Sequence, residues 1–132
     1  MKASSSGFTL LEIVITVAII AILSALAMGS YRGYMERTYR ISAQSTMMDV
    51  TQRLERYYTD ENTYEGFTMP ENQETVLNGG GESMYAISLD IGDDGQSYLL
   101  IATPEGTQEE DECGELSIDQ VGRRTPAGPG CW

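Results

Sequence analysis

Chemistry has few places to start in this chain. It contains no histidine, and its 2 cysteines are Cys113 and Cys131. There is thus no imidazole base, and a thiol nucleophile exists only if those two sulfurs are not bonded to each other. The triplet Gly79-Gly80-Gly81 lies in a loop before an alternating, strand-like stretch. It does not open a helix, so it is not a phosphate-cradling loop. Carboxylates remain. Glu105, Glu109, Glu110, Asp111, Glu112 and Glu115 crowd one stretch, and Asp90, Asp93 and Asp94 another. Calcium takes several oxygens, but neither stretch has EF-hand spacing, and a solvated acidic loop accounts for both. One carboxylate stands apart. Glu12 closes Gly7-Phe8-Thr9-Leu10-Leu11-Glu12, at the head of an apolar run from Ile13 to Leu23. An ionisable side chain at membrane depth is costly and marks a functional position.

Charge and cysteine usage narrow the classes further. With 20 acids against 8 lysines and arginines, the formal net charge is -12. A phosphate track for nucleic acid needs clustered cations, which leaves only a small patch at Arg123 and Arg124. Two cysteines late in a chain with an export-type N-terminus read as one Cys113–Cys131 disulfide formed outside the cytosol. Such a bridge stabilises by roughly 3 kcal/mol in the chain-entropy model. Two free buried thiols are the alternative. Tetrahedral zinc lacks its ligands.

The element that must position Glu12 is a helix. Phe8 to Met28 is long enough to cross a bilayer core of about 30 Å. Lys2 precedes it, and Arg32, Arg37 and Arg40 follow. Charge bias therefore does not settle orientation. A secretory signal would use Ala25-Leu26-Ala27 as its cleavage site, but a charge near the start of the apolar run weakens insertion. A plain anchor explains the length and leaves Glu12 unexplained.

Beyond Ser30 the helix continues with a changed pattern. Tyr31, Met35, Tyr39, Ala43, Met47, Val50, Leu54 and Tyr57 or Tyr58 recur at spacings of three and four, a single apolar stripe. Arg32, Glu36, Arg40, Gln44, Asp49, Arg53 and Arg56 fall off it, with Glu36–Arg40 and Asp49–Arg53 as favourable i,i+4 pairs. The tyrosines from Tyr57 to Tyr64 are expected to pack between helix and sheet. Residues 65–83, with Pro70, Asn78 and the glycine triplet, read as a long loop. Tyr85, Ile87, Leu89 and Ile91 alternate with polar or small residues, as a half-buried strand does. Gly92-Asp93-Asp94-Gly95 turns the chain into a second strand over residues 97–103, ended by Pro104. Leu116 to Asp119 suggests a third strand before a turn at Val121-Gly122. An antiparallel sheet of three or four strands across the helix follows.

Gly7-Phe8-Thr9-Leu10-Leu11-Glu12 with its apolar helix resembles the class III leader of type IV pilins and related pseudopilins. The resemblance implies that a prepilin peptidase cuts between Gly7 and Phe8 and methylates the new Phe8 amine. It also implies that Glu12 is the motif's glutamate. In a staggered stack, the amine of one subunit would meet the Glu12 carboxylate of its neighbour. An unpaired buried charge is expensive, so such a pair enforces register. Many type IV pilins carry glycine where this chain has Ala21 and proline where it has Gly29. Glycine weakens a helix by about 1 kcal/mol and proline by about 3, so local melting between Ala25 and Ser30 is less forced here.

Leu54 to Tyr64, Tyr98 to Pro104, Cys113 to Asp119 and the terminal Cys131-Trp132 resemble a subgroup of short type IVa pilins and minor pilins. One branch of that subgroup acts as receptors for DNA uptake sequences. The implied fold is α+β, a long N-terminal helix packed on a small antiparallel sheet with a C-terminal disulfide loop. The implied division is a cleaved leader over 1–7, a membrane or filament-core half-helix over 8–29, and a head over 30–132. The implied protein is a minor pilin that waits in the bacterial inner membrane and then joins a pilus supporting adhesion, twitching motility or DNA uptake. Its partners would be other pilin subunits and the prepilin peptidase, and no cofactor or catalysis is implied. The major pilin, a DNA-binding receptor pilin and a type II secretion pseudopilin are the alternatives. The disulfide argues against the pseudopilin, and the acidic charge against the DNA receptor.

Overall fold

Thr9 starts the main element by capping it: its Oγ1 accepts the Glu12 N–H at 3.2 Å, satisfying one of the free donors of a helix start. The computed structural model describes residues 7–132, so Lys2 and the rest of the expected leader before Gly7 lie outside the described residues. Helix α1 runs Leu10–Glu61 without a break at Gly29. Asn62 ends it with φ of 59°, a left-handed turn that asparagine tolerates, and its N–H closes the last turn on Tyr58 O at 2.8 Å.

Contacts divide the chain into Met1–Met35 and Glu36–Trp132. In the first unit every described residue from 7 to 34 is exposed. Its helix is apolar on all sides, and by length and composition it can cross a membrane.

In the second unit the remainder of α1 packs on a five-stranded antiparallel sheet in the order β1-β2-β3-β4-β5. The strands are β1 Thr75–Leu77, β2 Ser83–Ile91, β3 Tyr98–Pro104, β4 Leu116–Asp119 and β5 Arg124–Thr125. Ala43, Met47, Val50 and Leu54 of the helix meet Tyr85, Ile87, Leu100, Ala102, Leu116 and Ile118 of the sheet in one core. The expected alternation holds in β2, β3 and β4. Met84 departs from it, because the 3-10 turn Gly106–Glu110 lies against β2 and the Thr107 hydroxyl donates to the Met84 sulfur at 3.7 Å. Gly95 sits in the β2–β3 turn at φ of 65°. Its carbonyl accepts the Tyr64 N–H at 2.7 Å, which returns the end of the helix to the sheet.

Two expectations need correction. Residues 65–83 are not loop throughout: a 3-10 turn Glu71–Gln73 leads into β1, and Asn78 N–H to Glu82 O at 2.9 Å closes a hairpin around the glycine triplet. The sheet therefore has five strands, not three or four. β1 buries one side chain, Val76, and β5 buries none, so neither is long enough to show a period of two.

Candidate functional site

At the N-terminus the helix start places Glu12 three residues after its cap, the position where a carboxylate is favoured by the helix dipole. Phe8 lies one turn away and is 80% exposed, and Leu10 and Leu11 are likewise uncovered. The hydroxyls in this stretch satisfy themselves: Thr16 donates to Glu12 O at 2.6 Å and Ser24 to Ile20 O at 2.8 Å. They can therefore lie in an apolar environment without an outside partner. The Glu12 carboxylate has no partner among the described residues. Between Phe8 and Gly29 it is also the lone ionisable side chain. Among the described residues, the segment is an apolar rod with one unmet charge.

The head contains a second concentration of polar chemistry, and it is buried. Arg40, 7% exposed, pairs through Nη1 with the Asp111 carboxylate and lies 2.8 Å from Cys113 Sγ. The same carboxylate accepts the Tyr85 hydroxyl at 3.0 Å, the Gln108 amide at 3.0 Å and the Cys113 N–H at 3.2 Å. Gln108 also donates to Glu36 O at 2.8 Å, tying the acidic turn to the helix. Burial pushes the Tyr85 hydroxyl up to about 12. Arg40 and Asp111 thus correct the reading of one as part of the polar helix face and the other as part of a solvated loop. A buried charge persists where every lone pair is used, as here.

The predicted Cys113–Cys131 disulfide is present. The loop it closes is held by one helix face. Gln44 donates its side-chain amide to Cys131 O, and Met48 Sδ accepts from Arg124 at 3.6 Å. Residues 40, 44 and 48 repeat every four positions, a second stripe that the sequence pattern does not reveal because two of its three members, Arg40 and Gln44, are polar. Arg124 also lies over the Trp132 ring, 5.3 Å from its centroid, and the indole N–H donates to Thr125 O at 2.8 Å. Arg123 sits 3.8 Å from Asp119. Neither arginine of the expected patch is therefore a bare cation. Among the described residues, no group of three or more metal-ligating side chains converges in either acidic stretch.

Near the helix end the tyrosines pack as expected. Tyr58 and Tyr64 have centroids 4.6 Å apart, and Tyr64 meets Tyr98 edge-on at 4.9 Å. Burial, with the Glu55 carboxylate alongside, raises the Tyr64 hydroxyl, and burial lifts Tyr98 to about 12. Asp49 pairs with Arg53 at 3.0 Å as its spacing predicts, and that guanidinium, with the Gln73 amide, holds its carboxyl below the usual range.

Comparison with known proteins agrees with both halves. Residues 29–117 match the family described as "Type IV minor pilin ComP, DNA uptake sequence receptor", and residues 2–28 match the prokaryotic N-terminal methylation motif. The chain is 27% identical to fimbrial protein EcpC of Eikenella corrodens, over 81% of this chain and 67% of that protein. It is 32% identical to a fimbrial protein of Pseudomonas aeruginosa, over 67% of this chain and 62% of its relative. The chain thus spans less than two thirds of the length of that second relative. A type IV pilin from Shewanella oneidensis superimposes with a TM-score of 0.60 at 30% identity, covering 74% of this chain and 97% of that one.

Proposed function

The chain belongs to the type IV minor pilins of the ComP family, structural subunits of pili, and we propose that its N-terminal segment is first a membrane anchor and then the filament-forming element. In this reading the prepilin peptidase removes residues 1–7 and methylates Phe8, and the half-helix over 8–29 waits in the bacterial inner membrane. On assembly that half-helix enters the filament core while residues 30–132 form the outer head. The observation that carries the reading is Glu12: one carboxylate without a partner among the described residues, a turn from Phe8, on a helix exposed on all sides. A neighbour's Phe8 amine supplies the missing charge. Attraction between the two in low dielectric is strong and desolvation takes much of it back, so the pair sets register more than it adds stability.

Replacing Glu12 by Ala is the test. Membrane insertion should persist, since an apolar side chain only improves it, while the amount of subunit in sheared filaments falls. Normal incorporation of E12A would sink the registry role. Comparing the subunit's abundance with that of other pilins in the same filaments separates a minor subunit from the shaft subunit.

The family description supports a second reading, reception of DNA. Against it stand the acidic balance of the head and the engagement of Arg124 by Trp132 and of Arg123 by Asp119. Phosphate contacts should be few, so binding should be weak and its dependence on salt shallow. An electrophoretic shift of duplex DNA at physiological salt supports this reading, and the lack of one ends it.

A further inference from the structure

The sheet of the head is closed at one edge and partly open at the other. β5 is two residues long, and the Thr125 carbonyl is already taken by the Trp132 indole. At the opposite edge β1 covers only residues 83–86 of β2. The Ile87 N–H still donates to Glu74 O at 2.7 Å, and there the cover stops. Met84 O faces β3, where it accepts the Glu105 N–H at 2.9 Å. Successive residues alternate, so odd-numbered residues of β2 turn their backbone groups toward the β1 side. Ile87 C=O, both backbone groups of Leu89, and Ile91 N–H therefore face that side without a hydrogen-bond partner among the described residues. A groove of about 540 Å³ lies alongside, lined by Phe67, Met69, Glu74, Ile87, Leu89 and Ile91.

We infer that this gap receives a short, extended, cationic segment of a partner polypeptide, added as a strand to the open part of β2. Unpaired strand groups are a template for another extended backbone. Phe67, Met69, Leu89 and Ile91 are half-buried and offer an apolar floor for every second side chain of the incoming strand. The charge of the occupant follows from the rim. Glu74 lines the groove at one end, and at the other Asp90, Asp93 and Asp94 flank Ile91, the last residue of β2, in the sequence. A second copy of this chain does not fit. Two β2 edges brought together antiparallel would set the Glu74 end of each copy beside the Asp93–Asp94 end of the other, which is destabilising. The edge beside Arg123 and Arg124 is short and capped by Trp132.

The probe is a short peptide of alternating Lys and Val, titrated into the full chain in micelles of a neutral maltoside detergent. Binding is followed by fluorescence anisotropy and by amide hydrogen exchange. The expected result is saturable binding, with exchange at Leu89 and Ile91 slowed by about tenfold or more. The same peptide with alternate amides N-methylated keeps its charge and its affinity for micelles but cannot pair as a strand, and it should bind about tenfold more weakly or worse. Replacing its Lys by Glu should weaken binding comparably. Equal binding of the N-methylated or the Glu peptide overturns the inference, as does an absence of binding or of protection at Leu89. Protection at Leu89 that grows with protein concentration and needs no peptide also overturns it, in favour of a second copy.

Discussion

Replacing Asp111 by Ala should destabilise the head more than any surface substitution. In the folded head its carboxylate neutralises Arg40 and accepts from Tyr85, Gln108 and the Cys113 N–H. Removing it strands a guanidinium that is 7% exposed, and breaking a buried pair from one side costs about 3–5 kcal/mol. A head of about a hundred residues has about 5–15 kcal/mol in total, so the loss is a large fraction. With a urea dependence of about 1.5 kcal/mol per molar, the midpoint should fall by about 2–3 M. Trp132 is the chain's 1 tryptophan, follows Cys131, stacks with Arg124 and packs against the core, so its fluorescence reports the transition in the full chain in neutral detergent. The double substitution Arg40→Met with Asp111→Leu should recover the part of the loss that comes from the stranded charge, while the Tyr85, Gln108 and Cys113 donors stay without their acceptor. A midpoint shift below about 0.5 M for Asp111→Ala would place the pair among ordinary surface ion pairs, worth about 0–1 kcal/mol, and refute the reasoning.

Replacing both Cys113 and Cys131 by Ser should lower stability by about 3 kcal/mol, and a thiol reductant should shift the melting temperature of the wild type but not of the variant. Alkaline titration should destabilise the head. Tyr85 and Tyr98 are raised from 10.0 to about 12 in the fold. Their neutral form is therefore favoured when folded, stability is fully present below the unfolded value, and it is lost as pH rises between about 10 and 12. Tyr85→Phe should flatten that slope in a pH series of urea midpoints. Glu12→Ala should leave urea stability of the head unchanged while reducing filament incorporation, so a loss of head stability would contradict the separation of roles.

Patterns that repeat were legible, and meetings between distant residues were not. The α1 stripe through Ala43, Met47, Val50 and Leu54, the alternation in β2 to β4 and the Cys113–Cys131 bridge all follow from local spacing or from a forced pairing. β1 and β5 are too short to carry a period, although Asn78 followed by three glycines between Leu77 and Glu82 was a hairpin signal. Arg40 lies three residues before Ala43 and seven before Met47, which is core spacing, but its charge reads as surface. Asp111 sits among like acids, and nothing local distinguishes the one that folds inward from Glu109, Glu110 and Glu112. The partner that makes each tolerable is 71 residues away. At the N-terminus the reverse holds: the motif around Glu12 is fully local, and in the proposed reading what completes it belongs to another subunit.

The most direct test is mass spectrometry of the N-terminal peptide of the protein taken from cells that carry a prepilin peptidase. A mature chain beginning with N-methylated Phe8 is the predicted result. It would place a free amine one turn from Glu12, as the assembly mechanism requires. A chain beginning at Met1, or one beginning at Met28 after cleavage behind Ala25-Leu26-Ala27, would contradict it.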